Sequence, residues 1–552
     1  MFAHCKEGKL SRLAVRSIIV ACALALAGAF SAAPALARNP AIVTRNGPIK
    51  GTSIFGVEGY LGIPYAVPPV GDLRWMPPVP SGRFPGGVFH ANQFGNFCTQ
   101  PVRREPQAED CLTLNVFTPN IKKNSDNKKP LPVMVWIHGG ALVGGGSSLY
   151  DPSPMVLAGN VIVVTINYRL SFLGFFAHQA IDAEGHTNGN YGFMDQQLAL
   201  KWVNDNIAAF GGDRNRITIF GESAGGQSVY ANLASPTAAG LFEGAIAESG
   251  AYAEFQPYFN DIVSLSDGET AGAAGSTPSG DSVAMALGCP GTTAATAACL
   301  RGVSAHAVIA LDPATVYPFV DGTILPKTPT EAFASGEFNQ VPVISGGNHD
   351  EWRFFVADQY DFTGHPLVTT ADYDNAVLAL WGTPLNFFVE GLYPLGNYGG
   401  SPGIALGASG TDGIFACPER NSVKSLSQFV TTYAYEFNDE NAPPAQSLFG
   451  GFLTFPLGAY HTAELQYLFN GDFFGLPQAP LAPDQEELSA AMIGYWTQFA
   501  ATGNPNSAGE PAWPTYTSTT DEFQSLVPPT PITETSGSFD ANHLCSLFWN
   551  TF

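Results

Sequence analysis

Along the chain, short runs of uninterrupted apolar residues alternate with stretches in which apolar residues recur every three or four positions. "LPVMVWI" (131–137) and "VIVVTINY" (161–168) are apolar on both alternating sets of positions, the pattern of strands covered on both faces. "RITIF" (216–220) makes a third such strand, and "VPVISGG" (341–347) and "FVTTYAYEF" (429–437) two more. Between the second and third runs, Leu198, Trp202, Ile207 and Phe210 fall at roughly helical spacing. The segment 195–210 is therefore predicted as a crossover helix with Asp195 in its first turn. Strands alternating with helices predict an α/β fold around a large, mostly parallel sheet flanked by helices. The aromatic-, Gly- and Pro-rich region between the last two strands is expected to cap the sheet as a helical, cap-like region around 351–428. The Gly/Ala/Ser/Thr-rich stretch 266–298 carries no core pattern and reads as a surface insertion. No repeat is present, and 38–552 reads as one domain.

The third strand runs straight into "GESAGGQSVY". In Gly221-Glu222-Ser223-Ala224-Gly225 a serine sits on a tight turn from strand to helix, where near neighbours must lack side chains and the hydroxyl emerges at a helix N-terminus. There the backbone N–H of Ala224 and the helix dipole favour a negative charge. A serine becomes a nucleophile only when a base takes its proton and an acid orients the base. In this fold the chain order is serine, acid, histidine. "VPVISGGNHDEW" offers two competing acids, Asp350 and Glu351, just past a predicted strand. His461, in "LGAYHTAEL" at the start of an expected helix, is the first histidine after the strand 429–437; His365 precedes that strand and His543 lies near the C-terminus. "HGGALVGGGSS" (138–148) lacks GKS/T and GxGxxG, so a nucleotide loop is not expected. It can instead lend the N–H groups of Gly140 and Ala141 to an oxyanion.

The first 37 residues change the picture of composition. Lys6, Lys9, Arg12 and Arg16 precede an apolar run from Ile18 to Phe30 and the small-residue pattern "APALA", the layout of a secretory signal peptide cleaved near Ala37. The run is too short to span a bilayer, so no stable membrane insertion is expected. Losing four basic residues and one acidic residue takes the formal charge of the chain from −23 to about −26. Such a surface repels nucleic acid. Six cysteines remain, Cys98, Cys111, Cys289, Cys299, Cys417 and Cys545, an even number for a periplasmic or extracellular protein. No CxxC pair is present and "HTAEL" is not HExxH, so neither a metal nor another cofactor is expected.

Taken together, "GIPYAVPPVGDLRW", "EDCLTLNVFTP", "VWIHGGALVGG", "TINYRLSFLGFF", "NYGFMDQQLALKWVNDNIAAFGGD", "ITIFGESAGGQSV", "AIAESG", "GNHDEW" and "LCSLFWN" resemble the type-B carboxylesterase/lipase family, which includes the cholinesterases. The resemblance runs from Gly51 almost to Phe552. It implies an α/β-hydrolase fold and hydrolysis of small carboxylic esters through an acyl-enzyme, without a cofactor. It implies Ser223 as nucleophile, Glu351 rather than Asp350 as acid, His461 as base, and Gly140, Ala141 and Ala224 as oxyanion donors. It also implies the bridges Cys98–Cys111, Cys289–Cys299 and Cys417–Cys545, and the ion pairs Arg74–Glu109 and Arg169–Asp195. Glu222, Leu142 and Trp352 are assigned to substrate binding, although Trp352, standing where the family commonly has glycine, reads rather as core. The segment between Cys98 and Cys111 has no aromatic residue, unlike the longer loop that gives cholinesterases their tryptophan platform, so neutral esters are expected over choline esters; Trp75 and Trp352 are the aromatic substitutes available. The fold also serves catalytically silent adhesion proteins, the alternative reading, against which the intact Ser, acid and His argue.

Overall fold

The apolar runs become the middle of one sheet because each can bury both faces. The computed structural model describes residues 41–101, 105–119, 129–251, 262–272, 278–311, 316–444, 453–471 and 479–551; the signal-peptide segment lies outside them. Eleven strands form the sheet among these residues: β1 (Thr52–Ile54), β2 (Val57–Pro64), β3 (Thr113–Thr118), β4 (Leu131–Ile137), β5 (Ile162–Ile166), β6 (Gly212–Glu222), β7 (Gly244–Glu248), β8 (Val343–Asn348), β9 (Thr432–Phe437), β10 (Gln524–Leu526) and β11 (Ile532–Thr533). Their spatial order is β11-β10-β9-β8-β7-β6-β4-β5-β3-β2-β1. The run from β10 to β5 is parallel throughout. The two ends are antiparallel.

Successive residues of one strand enter opposite cores. Val133, Val135 and Ile137 of β4 pack on one side with Ile217 and Ile219 of β6. Met134 and Trp136 pack on the other with Phe220 and Ile344. The first side is covered by α1 (Tyr191–Asn206) and α2 (Ala224–Ala234), the second by the long helix Pro483–Thr502 with its buried Leu488, Met492, Trp496 and Phe499. This two-sided cover explains why the central strands carry no polar stripe.

Several expectations need correction. The crossover helix starts at Tyr191, four residues before Asp195, which is therefore inside the helix and not in its first turn. Asp195 is fully buried there by a bidentate pair with Arg169, at 2.8 Å on each arm. The stretch 266–298 is less superficial than its composition suggests: its described part holds helices Leu265–Thr270, Gly280–Ala286 and Ala294–Gly302, which bury Val283, Ala284, Ala297 and Leu300 in the core. Region 351–428 is largely helical. Its most unusual part is a continuous helix from Pro402 to Leu426 that widens to π geometry over Thr411–Ala416. Pro418 lies two residues further on; lacking an N–H and crowding the preceding turn, it gives the widening a cause. No helix among the described residues is long and apolar enough to cross a membrane.

Candidate active site

Ser223 is held at the junction of β6 and α2 with φ 58° and ψ −127°, a strained conformation for a residue with a side chain. Close packing enforces it. A Cβ on Gly221 would meet the Ile137 carbonyl oxygen at 2.5 Å, and one on Gly225 would meet the same atom at 2.0 Å. Both glycines are thus required by the approach of β4 rather than by their own torsions. The Ser223 N–H donates to the Glu248 carbonyl at 2.9 Å, which fixes the turn against β7.

Three distant side chains meet here. Ser223 Oγ lies 2.8 Å from His461 Nε2, and His461 Nδ1 lies 2.5 Å from Glu351 Oε2. All three are buried. A hydroxyl, an imidazole and a carboxylate in this series can move a proton off the hydroxyl and stabilise the imidazolium that results. Glu351 opens the short helix α3 (Glu351–Val356) directly after β8. His461 stands in a turn, and the helix expected around it begins only at Leu465.

Asp350 does not face His461. Its carboxylate pairs with Arg353 at 2.8 Å and accepts from the Ala459 N–H at 3.0 Å, while its own N–H donates to the Ala459 carbonyl at 2.9 Å. Asn348 adds a bond from Nδ2 to the Tyr460 carbonyl at 2.8 Å. The end of β8 thus grips the two residues preceding His461. Glu351 Oε1 accepts from Ser249 Oγ at 2.5 Å and from the Asn348 N–H at 2.7 Å, leaving Oε2 for the imidazole. Ser249 and Asn348 were not singled out from the sequence, although "AIAESG" and "GNHDEW" contain them.

The loop after β4 carries Gly140 at φ 109°, and Ala141 and Leu142 at φ 55° and 59°. The turn closes through N–H groups of Val143 and Gly144 on the Gly140 carbonyl. Leu142 is wholly enclosed in the core. Trp352 is core as well: it stacks on Phe355 at 4.5 Å, and a Cβ on Gly410 would meet its ring at 2.1 Å. Phe355, Phe415 and Phe354 surround the His461 ring at 5.0, 5.3 and 6.2 Å.

Glu222 points to the same place, its Oε1 3.3 Å from His461 Nε2. Burial, and then the nearby Glu464, Glu351 and Glu248, push its carboxyl well above the ordinary range. Glu464 is raised likewise by burial and by Glu351 and Glu248, and burial lifts Glu248 to about 8.

The frame around the site is braced by disulfides Cys98–Cys111, Cys289–Cys299 and Cys417–Cys545. Arg74 and Glu109 form a bidentate pair with both contacts at 2.7 Å.

The sequence profile of the carboxylesterase family matches residues 38–538. Cocaine esterase of Homo sapiens is 34% identical over 550 residues, covering 92% of this chain and 91% of its own. Para-nitrobenzyl esterase of Bacillus subtilis (strain 168) is 34% identical over 503 residues, covering 87% and 93%. Among solved structures, a PNB esterase superposes with a TM-score of 0.72 at 32% identity, over 91% of this chain and 98% of that one. The chain accordingly belongs to the carboxylesterase family, has its α/β-hydrolase fold, and is a carboxylic ester hydrolase.

Proposed function

We propose that the protein is a secreted serine esterase in which Ser223, His461 and Glu351 form the catalytic triad. Ser223 Oγ attacks the ester carbonyl carbon while its proton passes to His461 Nε2. The carbonyl oxygen becomes an oxyanion, which the N–H groups of Gly140, Ala141 and Ala224 stabilise. Collapse breaks the bond to the alcohol oxygen, and His461 returns its proton to that leaving group. Water then attacks the acyl-enzyme with His461 again as base, releasing the acid and restoring Ser223. The observation that carries this reading is the unbroken contact chain from Ser223 Oγ through both imidazole nitrogens to Glu351 Oε2. Secretion rests on the leader pattern of residues 1–37 and on the three disulfides, which suit an oxidising compartment.

The substrates proposed are small, uncharged alkyl or aryl esters; a relative named for the para-nitrobenzyl group is consistent with an aromatic partner fitting such a site. The test is Ser223→Ala. The variant should keep its thermal midpoint within a few degrees, lose at least about a thousandfold in ester turnover, and no longer be labelled by an organophosphate. Retention of a large part of the activity would move the nucleophile elsewhere.

A further inference from the structure

Three side chains unused by ester hydrolysis converge behind the site from distant parts of the chain. His349 follows β8, Glu436 lies in β9, and His543 follows the helix Ser538–Asn542. One nitrogen or oxygen atom of each lies within 4.8 Å of the others. His543 Nε2 is 2.6 Å from Glu436 Oε1, and the two imidazole centroids are 5.4 Å apart. We propose that His349, Glu436 and His543 bind a divalent transition-metal ion of the zinc type.

The ligand types are the first argument. Two imidazoles and one carboxylate are a donor set that suits zinc, whereas calcium and magnesium prefer oxygen alone. Orientation is the second. His543 Nδ1 meets Asp412 Oδ1 at 2.6 Å and His349 Nδ1 meets Asp350 Oδ1 at 3.2 Å. A carboxylate on one ring nitrogen fixes the imidazole and leaves the other nitrogen for a metal, the arrangement that supports zinc-bound histidines. Glu436 is steadied in turn by the Asn438 side-chain amide at 2.9 Å on Oε2. Access is the third: Glu436 and His543 are buried, but about a third of the His349 side chain is exposed, which gives an ion a way in from solvent.

Distances are compatible with modest closure. Bonds of about 2.0–2.2 Å to one ion hold ligand atoms roughly 3.3–3.5 Å apart. The present separations, from 2.6 Å to at most 4.8 Å, reach that range with shifts of about 1 Å or slightly more, within the scope of side-chain torsion. Coordination would replace the His543–Glu436 hydrogen bond. A bound ion would join the C-terminal segment, anchored two residues on by Cys545, to the link between β8 and the helix that Glu351 opens. Glu351 and Glu436 also line one small cavity, so the two sites share a wall.

The experiment uses the full mature protein, stripped with a chelator and titrated with Zn²⁺ by calorimetry and with Co²⁺ by visible absorbance. One equivalent of each should bind, with cobalt bands of a four- or five-coordinate ion and a higher thermal midpoint in Zn²⁺. His349→Ala, at the partly exposed ligand, should abolish the cobalt bands and weaken zinc binding by more than tenfold. Asp412→Asn should weaken it about 10–100-fold by releasing the His543 ring. The proposal is overturned if the wild type takes up no stoichiometric metal and its thermal midpoint ignores both Zn²⁺ and chelator. That outcome would make the cluster an ion-pair network. It is overturned equally if His349→Ala and Glu436→Gln bind zinc as the wild type does. The wild-type titration decides alone should a variant not fold.

Discussion

Replacing Glu351 by Gln tests the acid assignment more sharply than deletion, because the structure says which way the amide must turn. Glu351 Oε1 accepts from two donors, Ser249 Oγ and the Asn348 N–H, at 2.5 and 2.7 Å. In the variant the amide oxygen satisfies both, so the NH₂ group is left facing His461 Nδ1. A donor there demands a lone pair on Nδ1, which places the ring proton on Nε2, the nitrogen that must accept from Ser223. The imidazole is then held in the wrong tautomer and without a facing negative charge, a combination worth about 10⁴ in kcat, or roughly 5 kcal/mol. The neighbouring Asp350→Asn should behave in the opposite way. Burial alone would raise the Asp350 carboxyl, but His349 and Arg353 more than offset this and hold it below the usual range. Its ionised form therefore stabilises the fold at neutral pH, and that contribution fades as pH falls through the folded-state pKa. Losing the charge should lower stability by about 1.5–3 kcal/mol while turnover stays within about tenfold. Initial rates on an uncharged chromogenic ester, beside thermal denaturation of both variants, separate the two effects. A Gln variant within tenfold of wild type, or an Asn variant that loses more activity, would refute the argument.

Glu248→Gln should become increasingly stabilised relative to wild type as pH rises. The folded-state pKa of about 8 exceeds the ordinary value of 4.5 because of burial, so the stability held by the protonated form is lost between those limits, at up to about 1.4 kcal/mol per pH unit; a pH-independent gap in thermal midpoint would contradict this. A neutral ester should outperform a choline ester of the same acyl group in kcat/KM. Trp75 is buried with its Nε1 on the Phe172 carbonyl and Trp352 is core, so neither supplies an aromatic platform, and a raised Glu222 is a poor substitute for one; a clear choline preference would disprove it. Arg103 and Arg104, in the short first-disulfide loop, lie outside the described residues. The mature chain should titrate with no free thiol under denaturing, non-reducing conditions. Loss of Cys417–Cys545, which closes a separation of 128 residues, should cost about 5 kcal/mol in the loop-entropy account against about 3 for Cys289–Cys299; two titratable thiols in the wild type would remove one bridge.

The sequence was most legible where local pattern and burial coincide. β4 occupies 131–137 as its apolar run predicts, because both faces of a central strand are covered and nothing polar blurs its ends. β6 is longer than "RITIF" suggests: its charged start, Asp213 to Arg216, lies where the register against β4 shifts between Gly212 and Ile217. The crossover helix begins four residues ahead of its periodic pattern because "YGFM" holds aromatics and a glycine where periodicity expects a polar face. The strand-to-helix turn at Ser223 is readable because its residues are contiguous, although its glycines answer to the approach of β4, whereas the rest of the site arises from long-range convergence. Ser249 reaches Glu351 across 102 positions and Asn348 reaches Glu464 across 116, and neither partner can be inferred from spacing. The convergence of His349, Glu436 and His543 is illegible for the same reason, since metal-ligand spacing signals only clusters that are local in the chain.

For a histidine to work as a base here, the buried acids other than Glu351 must be neutral. Besides burial, Glu351 and Glu248 both push up Glu222 and Glu464, and Glu464 also pushes up Glu222. Were all of them ionised, the imidazolium would be stabilised so strongly that His461 would hold its proton and could not take one from Ser223. Burial prevents this by penalising the charged form, raising Glu222, Glu464 and Glu248 together. Glu351 differs in its partners: two donors converge on one oxygen and the imidazole meets the other, so a negative charge at this position is solvated by fixed dipoles. Glu351 is thus the carboxyl that the surrounding hydrogen bonds direct at Nδ1. The protonated neighbours remain polar without competing for the ring. The burial that raises Glu222, Glu464 and Glu248 makes their ionisation at alkaline pH unfavourable for folding, while hydrogen bonds alone set the orientation of Glu351 toward the histidine.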